Sequence, residues 1–204
     1  MMEGNLIVVA APSGAGKTSL VAALVARDEK VRVSISYTTR KPRPGETDGN
    51  NYHFVTQERF TQMEKQGAFL ECAQVHGNRY GTSREWVMSE RARGVDVVLE
   101  IDCQGAEQIR SQISEAIGIF ILPPSLEALK TRLMARGQDR PEVIATRLAA
   151  AQSEIREAAN FDYVIINEDF ELAARQLISV VQTARLTAAR QLEWHRELFQ
   201  KLQG

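Results

Sequence analysis

The sequence predicts an α/β fold, a parallel sheet with helices on both faces, and three observations carry that prediction. Four short, nearly continuous apolar runs at 6–10, 95–101, 117–122 and 163–166 read as strands buried on both faces. Helix-length segments separate them, as crossovers between parallel strands require. The stretch from about 37 to 82 differs: short strands, turns and polar loops mark it as an insertion beside the sheet. No internal repeat or low-complexity segment interrupts the pattern.

In order, the strand at 6–10 leads through a glycine-bearing turn into a helix ending near Arg27. Residues 31–36 alternate and read as a strand. Residues 37–46 hold two prolines and a glycine, which exclude a helix. Asp48-Gly49-Asn50 signals a turn before a short strand at 52–55. A helix at 57–66 ends at Gly67, and 69–75 is a further strand. Thr82 and Glu85 have capping-box spacing, predicting a helix from Thr82 to Gly94. After the strand at 95–101 come a helix at 105–112 and the strand at 117–122. Ser125 caps a helix to about Arg136, residues 137–141 read as a loop, a long helix follows to about Asn160, and 163–166 is the last core strand. From Glu168 onward the pattern is helical and without caps, either packing on the core and reaching toward a partner subunit or ending as a solvated tail.

Composition narrows the function. The 204 residues suit one domain, or one core with small insertions, with ample apolar material for a core. A formal net charge of −1 makes no electrostatic case for a nucleic-acid polymer or a membrane surface. Cys72 and Cys103 have neither zinc-site nor disulfide-framework spacing. No apolar run is long enough to span a bilayer, and the N-terminus enters the first strand without a basic-then-apolar leader. A cytoplasmic protein is expected.

The turn after the first strand carries the strongest motif. Ala11, Pro12, Ser13, Gly14, Ala15 and Gly16 precede Lys17 and Thr18, matching G-x-x-x-x-G-K-[ST] except that Ala11 replaces the first glycine. Such a loop turns its backbone N–H groups inward as an anion nest, and the following helix adds the positive end of its dipole. Lys17, read as an exposed loop cation, reaches the β- and γ-phosphates of a nucleotide, and the Thr18 hydroxyl suits Mg²⁺.

Two further features refine this reading. Arg40 and Arg43 sit three apart on a proline-stiffened loop and suit convergence on one phosphate through bidentate contacts. Tyr52 and Tyr80 offer phenolic donors to the same cradle. Glu71 lies on a strand that otherwise points Phe69, Leu70 and Ala73 inward, where a carboxylate needs a partner. Guanine supplies one, since its N1–H and 2-amino group match two carboxylate oxygens, whereas adenine presents an acceptor at N1. Ser36 and Thr82 suit the O6 side of that ring. The three histidines, His53, His76 and His195, read as surface residues.

At this point the chain resembles the bacterial guanylate kinases, of the nucleoside monophosphate kinase family. The resemblance rests on Ala11-Pro-Ser-Gly-Ala-Gly-Lys-Thr18, Thr38-Thr-Arg-Lys-Pro-Arg-Pro-Gly-Glu46, Asn78-Arg-Tyr-Gly-Thr82, Glu100-Ile-Asp-Cys-Gln-Gly105, Phe120-Ile-Leu-Pro-Pro-Ser125 and Tyr163-Val-Ile-Ile-Asn167, in the family's order over about 5–185. It implies the P-loop nucleoside monophosphate kinase fold, with a five-stranded parallel sheet. The core would comprise 1–35, 84–125 and 160–204, with a mixed α/β GMP-binding subdomain at 36–83 and a helical lid at 126–159.

The implied reaction transfers the γ-phosphoryl group of ATP to GMP, with Mg²⁺ accompanying the ATP. By resemblance, Arg40, Arg43, Tyr52 and Tyr80 hold the GMP phosphate. Glu71, Ser36 and Thr82 read the base, with Glu46 and Gly81 in the same site. Asp102 would lie near the guanine amino group and the metal, which it would touch through water, while Thr18 binds it. Glu100 stands where the family usually has Asp. Arginines cluster in the lid segment at 132, 136, 140 and 147: Arg136 and Arg147 are assigned to the transferring phosphates, and Arg132 with Asn167 to the neighbourhood of the adenine. The acceptor is an already anionic phosphate oxygen, so no general base is required. Lys17, Arg40, Arg43, Arg136 and Arg147 would align reactants and neutralise charge. A homo-oligomer formed through the C-terminal helix is the further partner expected. Two rival classes are a guanylate-kinase-like binding module that grips a protein segment, though such modules lose the phosphate loop, and a kinase for another monophosphate.

Overall fold

The computed structural model describes residues 3–75, 77–135 and 141–204, without the side chains of 141 and 142. A five-stranded sheet forms its centre, from β1 (Leu6–Ala10), β2 (Val31–Val33), β7 (Asp96–Glu100), β8 (Ile117–Leu122) and β9 (Tyr163–Ile166), in the order β2-β7-β1-β8-β9. All four pairings are parallel, with Ile7 between Val98 and Ile117. The β1 residues are fully buried, as an apolar run of five in a doubly covered sheet must be.

One face of this sheet is covered by α1 (Lys17–Arg27) and α7 (Phe170–Ala184), which bury Leu20, Leu24, Leu177 and Val181 with Ile7, Val9 and Ile119. The opposite face takes α3 (Arg84–Ala92) and α4 (Cys103–Gln112), burying Val87 and Ile109 against Leu6, Val8 and Leu99. The phosphate loop, Glu100, Asp102 and Asn167 therefore follow the C-terminal ends of β1, β7 and β9, the edge where ligands collect in open parallel sheets.

A second sheet of four strands, in the order β4-β3-β6-β5, is built from β3 (Tyr37–Thr38), β4 (His53–Phe54), β5 (Phe69–Val75) and β6 (Asn78–Ser83). Helix α2 (Gln57–Lys65) packs Phe60 and Met63 beneath it with Phe69. Thr56 caps α2 by accepting from the Arg59 N–H, and Gly67 leaves it at φ +68°. The remaining pair, α5 (Leu126–Ala135) and α6 (Pro141–Arg156), shares a small apolar core of Leu129, Leu133, Ile144 and Ala151. A 3₁₀ turn at Glu157–Asn160 ends this hairpin.

Several elements depart from expectation. The alternating stretch at 31–36 is two segments: Ser34 N–H makes a last bond to Val98 O, and the chain then crosses to the second sheet at Tyr37. The strand expected at 52–55 pairs only over His53–Phe54. Strand β6 has no apolar alternation, yet it pairs with both β3 and β5. Thr82 donates its hydroxyl to Glu71, so Ser83 caps α3 instead, accepting from the Trp86 N–H. Helix α4 starts at Cys103 because Asp102 caps it through the Gly105 N–H.

Strand β9 is an edge rather than a buried strand: Ile165 is 3% exposed, but Tyr163, Val164 and Ile166 are 45%, 47% and 56% exposed. The helical segment after Glu168 does carry a cap, Asp169, which accepts from the Leu172 N–H. It breaks into α7, α8 (Ala188–Trp194) and α9 (Arg196–Leu202). His53 is half-buried and stacks on Tyr37, while His195 is exposed and His76 lies outside the described residues.

Candidate active site

The phosphate loop is shaped by two left-handed glycines, Gly14 at φ +96° and Gly16 at φ +99°. Gly16 is the N-cap of α1, and no side chain caps that helix, leaving its first N–H groups directed to the loop. Asn167 and Arg132 hold the loop from outside. The Asn167 amide donates to Ala15 O at 2.7 Å, and Arg132 donates to Asn167 O at 2.8 Å and to Ala15 O at 3.4 Å. A Cβ on Gly16 would stand 2.3 Å from the Asn167 amide nitrogen, so both the turn and the clamp require glycine there. Pro12 O accepts from the Ala15 N–H, and Ser13 points to solvent.

Lys17 is not an exposed cation. It is half-buried and donates from Nζ to Ile101 O at 2.9 Å. Burial pulls its pKa below the usual lysine value, against the opposing pull of Glu100, Asp102 and the α6 residue Glu154. Thr18 donates its hydroxyl proton to Glu100 at 2.9 Å. Glu100 is thus the carboxylate that touches Thr18. Asp102 is occupied one turn away, its Oδ1 accepting from the Gly105 N–H.

Thr18 and Glu100 offer two hard oxygen donors side by side, a fit for a Mg²⁺ ion that takes one or two protein oxygens and draws the rest from phosphates and water. Among the described residues no cluster of three or more His, Cys, Asp or Glu could hold a metal by itself.

The proline-stiffened loop carries the second constellation. Arg40 donates from both terminal nitrogens to the two Glu46 oxygens, each at 2.9 Å, and from Nη1 to Lys41 O at 2.8 Å. Arg43 donates its backbone N–H to the same Glu46 carboxylate at 2.7 Å. The guanidinium lies over the rings of Tyr52 and Phe54 at 5.3 and 5.8 Å, and Tyr52 meets Tyr80 edge-on at 5.9 Å. Glu46 raises Arg40 above its ordinary pKa, and Arg40 in turn lowers Glu46. Three of the five guanidinium N–H groups are engaged this way, and Arg40 donates a further bond to the Tyr80 hydroxyl. The Arg43 side chain is exposed.

Glu71 on β5 is 4% exposed and accepts from the Thr82 hydroxyl at 2.6 Å. Burial pushes its pKa up to about 7, an effect the Thr82 bond opposes and Asp102 reinforces. The backbone of α4 comes so close that a Cβ on Gly105 would meet Glu71 Oε2 at 2.7 Å. Ser36 joins the two sheets, its carbonyl accepting from the His53 N–H. Gly81 lies under Phe69 and Phe60, whose rings occupy the place of a side chain.

On the far side of the phosphate loop, Gly14, Gly16, Arg132, Asn167, Glu168 and Phe170 line a hollow of about 430 Å³. A larger cleft, about 830 Å³, separates Asp102, Cys103 and Arg110 on the α4 side from Glu154 and Glu157 of α6 and the 3₁₀ turn. Arg147 lies half-buried on α6, while Arg136 and Arg140 fall outside the described residues. The structure thus gathers Lys17, Thr18, Arg132 and Asn167 about one loop, Arg40, Glu46, Tyr52 and Tyr80 about another, and Glu71 with Thr82 between strands. Sequence reasoning missed Glu100 as the partner of Thr18 and Glu154 as an acid facing Lys17; the first was signalled by its place two residues before Asp102 at a strand end.

A phosphate loop after the central strand, an arginine fork on an inserted sheet and a helical hairpin beside them define a P-loop kinase of the nucleoside monophosphate class. The sequence model of a family described as guanylate kinase matches residues 3–184. The guanylate kinase of Methylobacillus flagellatus is 55% identical over 201 residues, covering 98% of this chain and all of its own. That of Aromatoleum aromaticum is 51% identical over 202 residues, covering 99% of each chain. A crystal structure of guanylate kinase from Anaplasma phagocytophilum superposes with a TM-score of 0.79 at 33% identity, covering 93% of this chain and 90% of the other. This chain belongs to the guanylate kinase family.

Proposed function

We infer that this chain transfers the γ-phosphoryl group of ATP to GMP, giving ADP and GDP. One observation carries the reading: a phosphate loop ending in Lys17 and Thr18 stands in the same molecule as a buried carboxylate, Glu71, suited to guanine's pair of donors. ATP and GMP are accordingly the substrates.

The ATP phosphates lie in the loop of residues 11–16, with Lys17 leaving Ile101 O to meet them. Arg132 and Asn167 border the adenine while holding the loop backbone. The GMP phosphate meets the Arg40 guanidinium, with Arg43, Tyr52 and Tyr80 around it, and Glu71, Thr82 and Ser36 meet the base. Glu46 serves that phosphate through Arg40, and Gly81 serves the sheet that carries it. Thr18 and Glu100, with Asp102 nearby, would hold a Mg²⁺ ion, which would supply positive charge to the ATP phosphates. The GMP phosphate oxygen is already anionic, so this chain's residues abstract no proton from it. Their work is alignment and neutralisation, to which Arg136 and Arg147 of the lid segment add positive charge.

Residues 36–83 are the GMP-binding subdomain, 126–159 the lid, and the remainder the core. Closure of subdomain and lid over the reactants excludes water, to which phosphate would otherwise be lost. No helix among the described residues is long and apolar enough to cross a membrane. The cytoplasm, where both substrates occur, is the proposed location. A second copy of the chain, docking on Leu192, Trp194, Leu198 and Leu202 of the last helices, all about half exposed or more, is the proposed further partner. Light scattering at two concentrations tests that contact, and a monomer at both rejects it.

The activity is tested by coupled ADP release with ATP and Mg²⁺, offering GMP, AMP and dTMP in parallel. Turnover with GMP alone is expected. Folded protein that releases no ADP with GMP is a binding module instead, and preference for AMP or dTMP identifies a different monophosphate kinase.

A further inference from the structure

Strand β5, which carries Glu71, is the edge of its sheet, paired to β6 on one side only. Its other side faces α4 and leaves backbone donors and acceptors that require partners. The Gln108 side chain supplies two of them. Its amide nitrogen donates to Cys72 O at 2.8 Å, and its amide oxygen accepts from the Cys72 N–H at 3.1 Å. A primary amide that bonds both groups of one residue reproduces the two-bond ring of an antiparallel ladder. The opposite amide orientation would set NH₂ against N–H, so the two bonds fix the assignment. One turn further along α4, Gln112 donates from Nε2 to Leu70 O at 3.0 Å.

The two glutamines therefore grip the residues immediately before and after Glu71. The same helix stripe begins with Gly105, where the absence of a side chain admits the Glu71 carboxylate, Oε2 lying 2.7 Å from the position of an added Cβ. Leu70 is itself buried in the cluster beneath the central sheet. Asp102 caps the start of α4 two residues after the end of β7, so this stripe ties the Glu71 strand to the catalytic edge of the core.

We propose that Gln108 and Gln112 are positioning residues for Glu71, fixing the strand so that both carboxylate oxygens meet guanine and thereby setting discrimination in favour of purines that bear a 2-amino group. This rests on Glu71 reading the base. A side chain displaced by a fraction of an ångström keeps one donor and loses the other, which is where selectivity resides.

The test compares kcat and KM for GMP and for inosine monophosphate, which has N1–H but no 2-amino group, in the wild type, Gln108→Met, Gln112→Met and Glu71→Gln. For Gln108→Met the GMP-to-inosine-monophosphate ratio of kcat/KM is expected to fall roughly tenfold, with KM for ATP unchanged. Equal losses with both acceptors, or no loss, overturn the proposal. Glu71→Gln separates the two failures. If it alters the ratio and Gln108→Met does not, base reading stands and positioning fails; if it leaves the ratio at the wild-type value, base reading fails and positioning with it. Should Gln108→Met be insoluble, Gln112→Met, whose side chain is exposed, gives the same readout.

Discussion

Thr82 donates its hydroxyl proton to Glu71 across 2.6 Å, and the carboxyl group that accepts it is almost wholly buried. Burial raises the Glu71 pKa to about 7, so near neutrality the free protein holds a mixture of acid and carboxylate. Guanine's two donors need the carboxylate. The apparent affinity for GMP is therefore expected to improve about tenfold between pH 6 and pH 8, following the ionised fraction. The GMP phosphate titrates nearby, so Glu71→Gln serves as the baseline. If KM for GMP has the same pH profile in both proteins, Glu71 is not the titrating group.

The same shift has a stability consequence of opposite direction. The folded-state pKa of Glu71 lies above the ordinary 4.5, so its contribution to stability is full below that value and lost as pH rises through about 7. Glu71→Gln stays neutral at every pH. It is expected to be more stable than the wild type at pH 8 by roughly 3 kcal/mol and nearly equal to it at pH 4, read from urea unfolding at the two pH values.

Glu46 and Arg40 form a two-bond fork, both side chains largely buried at 18% and 13% exposure. A carboxylate near a phosphate site repels its ligand unless it serves to orient the cation. Glu46→Gln keeps the shape but offers one acceptor instead of two, so Arg40 loses its fixed plane. KM for GMP is expected to rise about tenfold, with KM for ATP unchanged. A fall in KM for GMP would show that Glu46 competes with the phosphate instead of aiming Arg40.

What was legible in the sequence, and what was not, follows from which interactions leave a local trace. The buried strands β1, β7 and β8 are nearly continuous apolar runs because helices cover both faces, and that pattern is readable. The phosphate loop is readable because its glycines, Lys17 and Thr18 are consecutive. Strand β6 is not: Asn78, Arg79 and Thr82 bond across strands, and Gly81 makes room for Phe69, none of which produces alternation. Thr82 and Ser83 compete for the cap of α3 in the sequence, and only the distant Glu71 decides between them by engaging Thr82. The edge exposure of β9 depends on strand order, which its apolar residues do not encode. Glu46 enters the site only through the resemblance, and the bonds of Gln108 and Gln112 to β5 leave no local trace in the sequence.

Arg185, the C-cap of α7, reaches the far end of the sheet and donates to Asp28 at 2.8 Å and to Asp96 at 2.6 Å. Asn5 adds two further bonds to Asp96, at 2.6 and 3.0 Å. Both carboxylates are less than a tenth exposed, so removing their shared cation strands two buried charges. Arg185→Met is expected to cost about 3 kcal/mol of stability while kcat at low temperature stays at the wild-type value. Urea midpoints paired with initial rates check both, and a loss of kcat in folded protein would mean that this end of the sheet communicates with the reaction.

Lys17 rests on Ile101 O at 2.9 Å, half-buried and with its pKa drawn down by burial. Because its ammonium sits in a costly environment, Lys17→Met removes a desolvated charge and replaces it with an apolar side chain of similar length. The melting temperature is therefore expected to hold or rise. Activity should behave differently, because the cation that neutralises the transferring phosphates is gone. Turnover is expected to fall at least a hundredfold or so, the range seen when one preorganised donor to a transition state is removed. Calorimetry of the free variant and ADP release under saturating ATP and GMP separate these effects. Turnover within a few-fold of the wild type would mean that Lys17 is not the phosphate clamp, and a collapsed melting temperature would mean that its bond to Ile101 holds the fold.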